Sequence, residues 1–388
     1  MSNLTRKTVF MFFLLVFLRP VMAQNADPIR LDPNMTLIQP DSNGIVWLDP
    51  MKTGQLDLVG FEWIEKEGKY RRLPEHPRWE IPPSVDGLAD HTAGGQVRFR
   101  TDSRKILVRV ELLMVSNMYH MPPTGQSGFD LYIGDHGEQH YYKTTRFDAD
   151  SIRYVAELYS SDKKKMQAFT INFPLYNGVK VLQIGLEEGA RLEAPEPFRF
   201  PGKIVIYGTS ITQGGCVARP GMAYSNILSR KLDACFVNLG FSGSGKGEPA
   251  LAHLIDEIPD VSFIILDYEA NAGVTIRNTL GPFVDILREK HPGTPILIMS
   301  KIHYARQAKE YRKTYKEYIA LRDFQRDFVK ERRKGGDAHI WFLDGSQVLG
   351  EDFDECTVDG VHPTDLGSYR IAGAMLEKIN SILAEEKR

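Results

Sequence analysis

Three side chains in this sequence could perform nucleophilic chemistry if they met. Ser210 lies in Gly208-Thr209-Ser210-Ile211-Thr212-Gln213-Gly214, at the end of the apolar run Lys203-Ile204-Val205-Ile206-Tyr207. A serine in a Gly-flanked turn after a buried strand is where an α/β fold presents a nucleophile to a crevice. A serine hydroxyl is weak until a base takes its proton, and the base needs a partner that fixes its orientation. Both can come from Val358-Asp359-Gly360-Val361-His362-Pro363-Thr364. The spacing of three lets the Asp359 carboxylate fold back onto the His362 imidazole, hold one tautomer and stabilise the cation formed on proton transfer. Pro363 stiffens the loop. Each feature also has a plainer reading: Ser210 could cap a helix or hold a phosphate, and Asp-Gly-Val-His could be an exposed turn.

The elements that must position these residues lie beyond Ala194–Pro201, where three prolines in eight residues interrupt any strand or helix. Short apolar strands are predicted at Ile204–Tyr207, Phe236–Leu239, Phe263–Asp267, Ile296–Met299 and Ile340–Leu343. Helical segments alternate with them, around Ala223–Leu232, Pro249–Glu257, Ile276–Lys290, Gln307–Arg333 and Leu366–Glu385. Near-continuous Val/Ile/Leu strands alternating with helices predict a parallel sheet covered on both faces. Ligands of such sheets bind beyond the carboxyl ends of the strands.

Before the proline-rich segment the period changes to two. Val97 and Phe99, then Ile106, Val108, Val110 and Leu112, then Phe129, Leu131 and Ile133, then Phe169, Ile171 and Phe173 alternate with polar residues. This predicts half-buried antiparallel strands in a β-sandwich or jelly roll. The expected organisation is therefore a leader over 1–23, an all-β domain over 24–195 and an α/β domain over 202–388. His136 and His140 are four apart, but Gly134-Asp135-His136-Gly137 reads as a hairpin turn rather than the helix that would align two metal ligands. No metal and no cofactor is expected.

Composition excludes some classes. The 48 basic and 50 acidic residues are interspersed and nearly cancel, so no basic face for nucleic acid is expected. Arg6 and Lys7 precede an apolar run from Val9 to Leu18, and Val21-Met22-Ala23 offers a cleavage site. This predicts a signal peptide cleaved after Ala23 and a secreted or periplasmic product. The run is too short to span a bilayer, so no retained membrane span is expected. Of the cysteines, Cys235 opens an apolar run and reads as a small buried hydrophobe. Cys216 and Cys356 flank the two chemistry-bearing segments, and a disulfide between them is left open.

At this point a resemblance becomes specific. Gly208-Thr209-Ser210, Asn238-Leu239-Gly240-Phe241-Ser242-Gly243, Asn271 and Asp359-Gly360-Val361-His362 occur in the order of the SGNH/GDSL hydrolases. The resemblance covers about residues 202–386. It implies a flavodoxin-like sheet and ester hydrolysis through an acyl-serine, with Ser210 as nucleophile, His362 as base and Asp359 as the triad acid. It further implies an oxyanion hole from Ser210, Gly243 and Asn271. Two positions depart from the family pattern: Thr209 stands where an acidic residue is common, and Ala272 where aspartate often follows the asparagine.

Gly208-Thr209-Ser210-Ile211-Thr212-Gln213-Gly214 is neither a Gly-x-Gly-x-x-Gly turn nor a P-loop, and Thr212, standing where Gly-x-Ser-x-Gly requires its second glycine, disfavours that elbow. An exported hydrolase domain joined to a jelly-roll-like module resembles two-domain carbohydrate esterases. The expected substrate is thus a small acyl ester, O-acetyl groups on carbohydrate foremost. Lipid acyl esters and an inactive glycan-binding protein are the alternatives. Arg219, Tyr224 and His303 follow strand ends and could reach the crevice, with no role assigned.

Overall fold

The computed structural model describes residues 39–135, 137–305 and 312–386; the segment 1–23 expected to be a leader lies outside them. The first half of the described chain carries ten strands: β1 (Ile45–Leu48), β2 (Asp57–Val59), β3 (Gln96–Thr101), β4 (Lys105–Leu112), β5 (Asp130–Ile133), β6 (His140–Thr144), β7 (Arg153–Ser160), β8 (Gln167–Asn172), β9 (Val179–Glu187) and β10 (Leu192–Glu193). They form two antiparallel sheets, ordered β1-β9-β4-β7 and β10-β3-β8-β5-β6, with β2 also paired to β3. In β4, Ile106, Val108, Val110 and Leu112 are buried while Lys105, Leu107, Arg109 and Glu111 turn outward. Val97, Phe99, Phe169 and Ile171 of the other sheet meet them in one core, which makes a sandwich. β5 and β6 pair with Ile133 opposite His140, so the segment between them is a hairpin; His136 itself lies outside the described residues.

The second half builds β11 (Lys203–Gly208), β12 (Cys235–Gly240), β13 (Val261–Asp267), β14 (Ile296–Met299) and β15 (Ile340–Leu343), all parallel, in the order β12-β11-β13-β14-β15. Alternate residues serve opposite faces. Val205 and Tyr207 pack with helices Pro249–Ile255, Ile276–Lys290 and Arg312–Lys334. Ile204 and Ile206 pack with helices Tyr224–Leu232 and Asp365–Glu386. Chain order reverses around β11, and its carboxyl end together with that of β13 frames the crevice. Ser210 follows β11 and Asn271 follows β13.

The sandwich strands keep a core of their own, and residues Pro40–Arg388 nonetheless cluster as one unit. Trp63, Leu73, Ile81 and Val85, from the stretch between β2 and β3, are buried against one face of the parallel sheet. The free edge of β12 is closed in an unusual way. Arg72, fully buried, donates from Nη1 to the carbonyls of Asn238 (3.2 Å) and Gly240 (2.5 Å). Its Nε and Nη2 donate to His91 O and Leu88 O, both at 2.7 Å. The Asn238 side chain accepts the Gly240 N–H at 2.9 Å. Edge carbonyls that would otherwise be buried without partners are thus satisfied. Burial pulls the Arg72 guanidinium down to about 9, which leaves it a cation at neutral pH.

Candidate active site

Ser210 opens a single helical turn, Ser210–Gln213, capped by the residue before it. The Thr209 side chain accepts the Ile211 N–H at 3.2 Å and the Thr212 hydroxyl accepts the Thr209 N–H at 3.0 Å. Thr209 therefore does the work of an N-cap, which threonine and aspartate can both do; the departure from the family pattern keeps the local structure. Three donors fix the Ser210 carbonyl: the N–H groups of Gly214 (3.1 Å) and Gly215 (2.9 Å) and the hydroxyl of Tyr176 (3.1 Å), which comes from the sandwich portion. With its backbone held at several points, the Ser210 hydroxyl has little freedom but rotation about its own side chain.

The predicted base arrives from the last loop. His362 Nε2 lies 2.9 Å from Ser210 Oγ, and His362 Nδ1 lies 2.8 Å from Asp359 Oδ2. The other carboxylate oxygen accepts the backbone N–H groups of Val361 (3.0 Å) and His362 (2.7 Å). Burial pushes the Asp359 carboxyl up. The bonds from the His362 backbone and ring and from Val361 outweigh this, and the net shift is downward. Asp359 is consequently an anion that holds the ring with Nδ1 protonated and Nε2 free to accept. The two loops are joined by the Cys216 N–H, which donates to Pro363 O at 3.1 Å.

The loop after β12 supplies the remaining predicted donors. Gly243 has φ of +67°, a left-handed conformation that favours glycine, and faces open space. Among the described residues no hydrogen bond takes the backbone N–H of Ser210 or Gly243. Asn271 Nδ2 donates to Phe241 O at 3.1 Å, which places its amide on the same loop; the nitrogen carries a second proton. Gly240 lets the loop lie against the serine turn, since a Cβ there would stand 2.3 Å from Gln213 N.

Gln213, unassigned by sequence reasoning, ties these parts together. Its Oε1 accepts the Ser242 N–H at 3.0 Å, while Nε2 donates to Leu175 O (3.0 Å) and to His91 Nδ1 (3.1 Å). His91 must be neutral to accept. Burial, reinforced by the nearby Arg72 charge, lowers it to about 4. His91, Leu175 and Tyr176 all belong to the sandwich portion, so this portion braces the site. Nothing in the local pattern of these residues marks them, because their partners are remote in sequence.

Beneath the turn, Asp267 Oδ2 accepts the hydroxyls of Tyr224 (2.7 Å) and Thr212 (3.1 Å). Burial raises this carboxyl to about 7 despite those two bonds. Tyr224 is therefore a buried strut and does not reach the crevice. Arg219 is held by Asp130 (2.8 Å) and the Tyr132 hydroxyl (2.6 Å). His303 stacks on Phe353, centroids 3.8 Å apart.

The disulfide left open between Cys216 and Cys356 is absent: both are free thiols. Their loops meet through backbone, but the side chains enter different apolar clusters, Cys216 with Ala93, Met121 and Val217, and Cys356 with Leu349 and Ile371. Burial and the Asp359 charge push the Cys216 thiol up to about 12. Cys235 is buried, as expected of a small hydrophobe. His120, on the loop between β4 and β5, stands edge-on to His362 with ring centroids 5.4 Å apart.

A parallel sheet of this strand order, with a Ser/His/Asp chain at its switch point and a β-sandwich in front, defines an SGNH-type hydrolase. Residues 202–380 match the GDSL-like lipase/acylhydrolase family, and residues 45–192 match the family described as the N-terminus of SGNH-hydrolase-type esterases. A crystal structure described as that of a GDSL-like lipase from Bacteroides ovatus is 31% identical, with a TM-score of 0.79 over 88% of this chain and 98% of that one. The chain belongs to the GDSL-like lipase/acylhydrolase family, and the class of activity is that of an esterase. The salicylyl-acyltransferase SsfX3 of a tetracycline biosynthetic pathway shares the fold at 22% identity, with a TM-score of 0.72 over 89% of this chain and all of that one. So does an acetyl xylan esterase from Butyrivibrio proteoclasticus, at 12% identity and a TM-score of 0.54, covering 88% and 99% of the two chains. No curated protein matches the sequence.

Proposed function

We propose that this chain is an exported serine esterase that removes small acyl groups, acetyl foremost, from carbohydrate hydroxyls. The observation that carries the reaction type is the hydrogen-bonded chain Ser210 Oγ, His362, Asp359, with links of 2.9 and 2.8 Å. His362 Nε2 takes the Ser210 proton as Oγ attacks the ester carbonyl. The Ser210 and Gly243 N–H groups and the Asn271 amide meet the charge that develops on the carbonyl oxygen. His362 then gives its proton to the departing alcohol, leaving acyl-Ser210. Water, deprotonated by the same imidazole, releases the acid.

The acetyl-carbohydrate reading is supported by the acetyl xylan esterase that shares this two-part architecture. Export is supported by the charged and apolar pattern of residues 6–23. Among the described residues no helix is long and apolar enough to cross a membrane. The test is hydrolysis of p-nitrophenyl acetate against longer-chain esters by wild type, Ser210→Ala and His362→Ala, followed by release of acetate from acetylated glycan panels. Activity is expected on acetyl esters and to vanish in both variants. Undiminished turnover in Ser210→Ala would overturn the covalent route, and a preference for long chains would replace the carbohydrate reading with the lipid one. Amino-terminal sequencing of the mature protein tests cleavage after Ala23.

A further inference from the structure

His120, Cys216 and His362 come from three separate loops, yet one ligand atom of each lies within 4.8 Å of the others. Two imidazoles and a thiol are a zinc-type donor set, since zinc takes His nitrogen and Cys sulfur at about 2.0–2.3 Å. Small side-chain rotations close a 4.8 Å triangle onto such an ion. His362 is already prepared as a ligand: its Nδ1 is engaged by Asp359 at 2.8 Å, so Nε2 is the atom left to coordinate. A carboxylate on the distal nitrogen of a metal-bound histidine is a recurrent arrangement that fixes the tautomer and raises ligand basicity. His120 Nδ1 is buried and has no hydrogen-bond partner among the described residues, so this nitrogen is open to a ligand. The esterase reaction as derived above uses neither His120 nor the Cys216 thiol.

We propose that His120, Cys216 and His362 bind a thiophilic divalent cation, zinc being the ion that fits, and that its occupancy takes His362 Nε2 away from Ser210 and switches the esterase off. The Cys216 thiol proton passes to solvent as the sulfur–metal bond forms. The ion is an inhibitor rather than a participant in turnover. The Ser210 hydroxyl, deprived of the acceptor 2.9 Å away, keeps its proton and does not attack. The inhibitory half rests on the proposed esterase mechanism, whereas binding does not.

The experiment titrates zinc chloride calorimetrically into the full chain, first stripped of metal, as wild type, Ser210→Ala, His120→Ala and Cys216→Ser. In parallel, p-nitrophenyl acetate hydrolysis is followed with and without zinc. Wild type and Ser210→Ala should bind about one zinc per chain, and loss of either His120 or Cys216 should weaken binding about tenfold or more. Wild-type hydrolysis should fall with zinc and return with chelator, while His120→Ala, relative to its own metal-free rate, should resist the same concentration. Magnesium, a hard cation, should do nothing. Absence of zinc binding, or binding that His120→Ala leaves unchanged, overturns the site; His120→Ala decides this even if Cys216→Ser does not fold. Binding that depends on His120 but leaves hydrolysis unaffected overturns the switch. A metal-free wild type without turnover counts against the esterase reading alone, since binding to Ser210→Ala is measured independently.

Discussion

Asp359 holds His362 at two places, with one carboxylate oxygen on the backbone N–H at 2.7 Å and the other on ring Nδ1 at 2.8 Å. The first contact shapes the loop and the second sets the tautomer. Asp359→Asn should keep the loop roughly in place while presenting the ring with the wrong nitrogen protonated. A fall in kcat of about 10³–10⁴ with little change in KM is expected for p-nitrophenyl acetate. A loss of less than tenfold would show that the carboxylate does not govern the base.

Gln213 should matter to the rate without touching the substrate. Its Oε1 anchors the Ser242 N–H next to Gly243, so Gln213→Leu removes the tie between the serine turn and the loop bearing an oxyanion donor. A kcat loss of about 10–10² is expected, smaller than loss of a donor itself. Gln213→Glu retains an acceptor for Ser242 and should recover part of the rate. Equal losses in both variants would mean that the residue only packs.

Asp267 predicts an uncommon pH dependence of stability. Its folded pKa of about 7 lies above the ordinary 3.8, so between those values the folded protein binds more protons than the unfolded chain. This group's contribution to stability therefore falls as pH rises from about 4 to about 7, by at most about 1.4 kcal/mol per unit, and levels off above. In Asp267→Asn that slope should vanish and stability at pH 8 should exceed that of wild type. Urea denaturation at several pH values decides the matter: parallel profiles for the two proteins would exclude the buried carboxyl as the cause.

Arg72→Met should be among the costlier single substitutions. It leaves the carbonyls of Leu88, His91, Asn238 and Gly240 without their shared donor. A loss of about 2–4 kcal/mol is expected from the denaturation midpoint, moderated because a buried charge is removed as well. No measurable loss would mean that the β12 edge finds other partners.

The parallel sheet could be read from the sequence because its strands are apolar on both faces and are separated by helices of ordinary length; Ile296–Met299 and Ile340–Leu343 fall where expected. The Ser/His/Asp chain was legible for a related reason, since Asp359 and His362 are neighbours whose geometry is local. The bracing residues were not. His91 and Tyr176 act on a turn far along the chain, and Gln213 has three partners in three different segments. Arg72 looks like any surface arginine until the β12 edge is laid over it. The Cys216–Cys356 pair shows the converse, because loops that meet do not determine where their side chains point. The short helices Pro83–Ala89 and Pro123–Ser127, each begun by proline, were hidden by the strand pattern around them.

Trp63, Leu73, Ile81 and Val85 belong to the core of a sheet whose first strand begins only at Lys203. A ribosome therefore delivers these apolar side chains well before the surface that covers them exists. The sandwich can close on its own core as it emerges, but this patch must wait for the rest of the chain. An amino-terminal fragment ending at the proline-rich segment should accordingly be sticky and dependent on holding factors, and the carboxy-terminal half expressed alone should expose the matching face.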